Sequence, residues 1–84
     1  MWWFFPKVDK VKFNKKLGKF IAQKRIAKGL TQSDLASVVG NNPQNISRIE
    51  RGEVNPTIFW LSQLSEAFGL TLAELIYEFE NTSA

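Results

Sequence analysis

Four glycines, at positions 29, 40, 52 and 69, cut this chain into short segments, and that punctuation limits the fold more than any other feature. A helix of fewer than about 12–15 residues is marginal in water when alone. Segments this short therefore hold only if they pack on one another. No strand competes with them, because Val8, Val11 and Phe13 do not alternate cleanly and no longer alternating run exists. At 84 residues the chain has room for one domain with a modest core. The expectation is an all-α domain of five helices.

Capping residues mark the helices. The first is expected over Lys15–Ala27, capped by Asn14, with Leu17, Phe20 and Ile21 on its apolar stripe and Gly29 as its stop. The second opens at Thr31, whose hydroxyl can accept from the Asp34 N–H, and turns Leu35, Ala36, Val38 and Val39 inward. The third has Asn42 as cap and Pro43 in its first turn, and ends near Arg51. Asn55 and Pro56 repeat that pattern for the fourth, with Ile58, Leu61, Leu64 and Phe68 inward. Thr71 and Glu74 form a capping box for the fifth, which runs to about Phe79 and buries Leu72, Leu75 and Ile76. Residues 1–13 are expected to form an irregular aromatic arm, 14–80 the domain, and 81–84 a frayed tail.

Composition removes several functions. With no cysteine there is no disulfide or thiol catalysis, and with no histidine the commonest metal ligand and general base are missing. The carboxylates are scattered and no nucleophile–base pair is visible, so no enzyme and no cofactor is expected. No apolar run reaches the ~18 residues of a membrane span. The opening "MWWFFP" has no charged stretch before it and does not read as a signal peptide, which makes the cytoplasm the default. Charge is uneven: residues 1–28 carry nine Lys or Arg against Asp9, while residues 57–84 carry four glutamates and no cation. That asymmetry points to a basic face for a polyanion or, more plainly, to two solvated faces.

Residues 30–52 decide between these. Two helices of about eight residues joined by Gly40-Asn41-Asn42 must cross steeply, as in a helix-turn-helix. On the second of them Ile46 and Ile49 point inward, while Gln44, Asn45, Arg48 and Arg51 recur at i, i+1, i+4 and i+7 on the other face. A merely solvated face usually carries Glu and Lys. Here Lys is absent, Glu50 is the only acid on the helix, and the amides and guanidiniums are the groups that read base edges.

The stretches "KRIAKGLTQSDLA", "ISRIERG" and "NPTIFWLSQLSEAFGLTLAEL", in this order, resemble the lambda-repressor-like, XRE/Cro-type helix-turn-helix DNA-binding domain over residues 17–79, about three-quarters of the chain. The resemblance implies a five-helix fold and double-stranded DNA as partner. It implies base contacts from Gln44, Asn45 and Arg48, and phosphate contacts from Thr31, Gln32, Ser47, Arg51 and Asn55. Pro43 departs from the pattern, standing where several phage repressors place a base-reading side chain. Arg25 and Glu50 match an ion pair that fixes the angle of the recognition helix; a direct Arg25–phosphate contact is the alternative.

The resemblance further implies a homodimer on a short, roughly palindromic operator, with half-sites ~34 Å apart. Phe59 and Trp60 on the fourth helix, Tyr77 and Phe79 on the fifth, and Trp2 and Trp3 of the arm are the candidate interface residues. The bland alternative keeps Trp60 in the core. The same aromatics suit a protein-interaction module, such as an antitoxin or transcriptional adaptor. A restriction-modification controller has this size and helix plan as well. A membrane surface is a minor reading of "WWFF" with its lysines.

Overall fold

The computed structural model describes residues 9–82, and within them every regular element is a helix: α1 Lys10–Ala27, α2 Gln32–Val38, α3 Pro43–Glu50, α4 Ile58–Ala67 and α5 Leu72–Glu80. Each begins on a side chain that accepts a hydrogen bond from an otherwise unpaired N–H of the first turn. Asp9 accepts from Lys12 N, Asn42 from Asn45 N and Thr57 from Trp60 N. Thr31 with Asp34, and Thr71 with Glu74, form reciprocal capping boxes. Helices of seven to ten residues depend on such caps and on burial of one stripe.

The start of α1 corrects the expected arm. The cap is Asp9, not Asn14, and residues 10–13 are helical. Asn14 lies inside α1, is only 7% exposed, and accepts from the Asn55 side-chain amide at 2.7 Å. The early turns are held from the far end of the chain: Phe13 and Phe20, two turns apart on α1, meet the Phe79 ring edge-on at 5.4 and 5.6 Å. Lys16 sits over the same ring, and Lys24 pairs with Glu78 of α5. Trp2 and Trp3 lie outside the described residues.

The core runs through all five helices and includes Leu17, Ile21, Leu35, Ile46, Leu64, Phe68 and Leu75. Two expected inward residues face out, Val38 at 62% and Ile58 at 64% exposed. Thr57, rather than Asn55, caps α4, and Ile58, its first residue, lies off the stripe formed by Trp60, Leu61 and Leu64. Trp60 and Phe79 are core residues, 9% and 7% exposed. This corrects their expected place in a dimer interface.

The position of α3 is set by α1 and α2, both of which pack on it. At Gly18 the approach of α1 is so close that a Cβ would lie 2.5 Å from the Glu50 carbonyl oxygen and closer still to that of Ile49. Glycine is present there because nothing larger fits. A Gly18→Ala substitution, favoured by helix propensity by about 1 kcal/mol, is therefore expected to destabilise instead, by about 1–3 kcal/mol from overpacking. Urea unfolding checks this, and a stabilised variant would contradict the close approach.

Candidate nucleic-acid interface

The inner side of α3 is apolar and buried, with Ile46 at 0% and Ile49 at 3% exposure. Burial of that pair turns Gln44, Arg48 and Arg51 outward. Together with Gln32, Pro43 and Ser47 they line one shallow, open concavity, so that the first residue of α2 joins the outer face of α3. Neutral amides and two cations converge on a wet surface. The arrangement can donate to phosphate oxygens and read donor–acceptor patterns on base edges.

Beneath this surface sits a nearly dry ion pair. Arg25 Nε donates to Glu50 Oε2 at 2.7 Å and Nη2 to Oε1 at 3.1 Å, while Nη1 donates to the Leu30 carbonyl at 2.8 Å. The side chains are 12% and 7% exposed. The hydrogen bond to Glu50 raises the Arg25 pKa above its ordinary value, against the opposing effect of burial. The Gln32 amide donates to the same Glu50 oxygen at 2.9 Å. One carboxylate thus connects the end of α1, the start of α2 and the last turn of α3. It also fixes the Gln32 amide, which keeps a second N–H for another acceptor.

The other expected contact residues divide. Thr31 caps α2 through its hydroxyl. Ser47 is bonded by Arg51 Nη1, and Arg51 Nε and Nη2 donate to Glu53 at 2.6 and 3.3 Å. Arg48 Nε is 4.0 Å from Glu53. The Arg51 hydrogen bond holds the Glu53 carboxyl below the usual carboxylate range. Asn45 lies apart from the concavity, its amide donating to Asn41 Oδ1 at 3.1 Å. Asn55 is likewise tied to Asn14. Sequence reasoning missed Glu53 and the Asn14–Asn55 bond. An acid two residues past Arg51, across the Gly52 turn, was the available signal for the first.

Phe59 and Tyr77 are each 68% exposed. Among the described residues no helix is long and apolar enough to cross a membrane.

Five helices, a tight α2–α3 turn and a polar outer face on α3 define a DNA-binding helix-turn-helix regulator of the XRE type. Residues 21–75 match the helix-turn-helix family HTH_3, and the chain belongs to that family. An uncharacterized HTH-type transcriptional regulator, y4dJ of Sinorhizobium fredii, is 37% identical over 68 residues, 81% of this chain and 88% of its own. The human endothelial differentiation-related factor 1 is 43% identical over 56 residues, 67% of this chain but only 38% of its own length. Among solved structures, the restriction-modification controller protein C.AhdI from Aeromonas hydrophila superposes with a TM-score of 0.74 at 29% identity, covering 81% of this chain and 99% of its own.

Glu50→Ala is expected to leave the Arg25 guanidinium poorly paired under α3 and to cost about 2–3 kcal/mol of stability. Thermal unfolding tests it. A loss below ~0.5 kcal/mol, the range of an ordinary surface substitution, would mean that the pair does not hold α3.

Proposed function

We propose that this protein regulates transcription by occupying a short, roughly palindromic operator as a homodimer, with α3 of each copy in a major groove. The observation that carries the reading is the single concavity formed by Gln32, Gln44, Ser47, Arg48 and Arg51, mounted on the buried Arg25–Glu50 pair. Gln44 and Arg48 read bases. Asn45 does so only by leaving Asn41, which makes it the weaker reader. Gln32, Ser47 and Arg51 face phosphates, with Thr31 and the Gly52–Asn55 turn alongside. Regulation is by occupancy, and the chain performs no chemistry.

A dimer is proposed because one recognition helix covers only a few base pairs, and two copies would meet half-sites about one turn, ~34 Å, apart. Among the described residues, Phe59 and Tyr77 are the most exposed aromatics available for it. They equally suit a second protein, which is the observation favouring an adaptor or antitoxin reading. The near-complete coverage of the controller protein C.AhdI supports a controller of that kind as a narrower version of the regulator reading.

Arg48→Ala is expected to cost about 1–3 kcal/mol and to relax preference at one base pair, while Gln32→Ala weakens all duplexes alike. Equilibrium binding to a panel of single-base variants separates the two, and a uniform loss with Arg48→Ala would remove it from the base readers. Phe59→Glu with Tyr77→Glu is expected to convert a dimer to a monomer in sedimentation. An unchanged dimer would place the interface elsewhere.

A further inference from the structure

Glu53 sets a carboxylate on the rim of a surface otherwise suited to anions, and it contributes nothing to the core. Its side chain is half exposed, as are those of its two partners Arg48 and Arg51. What it does is occupy donors. Arg51 gives Nε and Nη2 to Glu53 and Nη1 to Ser47, so every nitrogen of its guanidinium is engaged within the protein. The edge that pairs best with a phosphate in bidentate fashion is taken. Arg48, 4.0 Å from the same carboxylate, keeps its donors but feels the charge.

We propose that Glu53 is an internal competitor for DNA phosphate, which holds Arg51 back and lowers the affinity of α3 for DNA backbone. This rests on the DNA-binding reading above. When α3 meets an arbitrary duplex, moving Arg51 from Glu53 to a phosphate exchanges one anion for another and leaves the carboxylate beside the DNA backbone. Little is gained. Glu53 thus weakens the phosphate-driven part of binding, so that a larger share of any complex's stability rests on Gln44 and Arg48 at the bases.

The test compares Glu53→Gln with Glu80→Gln, the same loss of charge on the last turn of α5, by titrating each full-length variant onto a random-sequence duplex over a range of salt. The exposure of Glu53 lets the variant fold, which circular dichroism checks. Glu53→Gln is expected to tighten random-duplex binding by roughly two- to fivefold, the scale of an exposed ion pair. It is also expected to steepen the slope of log K against log salt by up to ~0.9, one phosphate contact. Glu80→Gln should stay near wild type, and the gain from Glu53→Gln should vanish in an Arg51→Ala background. Equal gains from both glutamates, or a gain that survives Arg51→Ala, would reduce the effect to net charge and overturn the proposal. If wild type binds DNA and Glu53→Gln binds it identically, this proposal alone falls. If wild type binds no duplex at any salt, the DNA reading falls with it.

Discussion

The Arg25–Glu50 pair, joined by Gln32, ties α3 to both α1 and α2. A helix of eight residues has no stability of its own to spare, and its two buried isoleucines fix its depth better than its tilt. Glu50 supplies the missing constraint by taking two guanidinium hydrogen bonds from α1 and one amide hydrogen bond from α2. Gly18 supplies the complementary one, since α1 rests against the last carbonyls of α3 with no side chain between. A pair this dry is weak evidence for stability, because desolvation offsets much of the attraction. Its clear effect is geometric: it holds the Gln32 amide and fixes the end of α3 against α1 and α2.

The rest of the molecule supports that arrangement from behind. Five capped helices share one core, and α5 reaches back to α1 through Phe79, which both Phe13 and Phe20 meet. Lysines on that side of α1 are engaged with α5, Lys16 over the Phe79 ring and Lys24 with Glu78. The basic excess of the first third of the chain is therefore partly internal. Not every lysine counted in the sequence is free to meet a polyanion.

Much of this was legible in the residues. Thr31, Asn42 and the Thr71–Glu74 box announced three helix starts, because a cap is a local interaction between residues three apart. The inward Ile46 and Ile49 fixed the orientation of α3 for the same reason. The failures were long-range. Asn14 reads as a cap until its partner Asn55 is known, and the helical turn before it is anchored by a phenylalanine near the other end of the chain. Trp60 and Phe79 sit at the edges of their helical stripes, where only the neighbouring helix decides between core and surface. The site was legible as a set of residue types. Its internal bonds, Arg51 to Glu53 and Asn45 to Asn41, were not, since exposed side chains choose partners by geometry that periodicity does not encode.

The proposed function has a rigidly mounted α3 read sequence in a pair of half-sites. Selection of bound duplexes from a random pool tests it most directly, at ~150 mM salt so that binding to phosphates alone is suppressed. Enrichment of two inverted half-sites separated by about one helical turn is the predicted result. A pool that remains random after repeated selection, from a protein that binds DNA only at low salt, would contradict it.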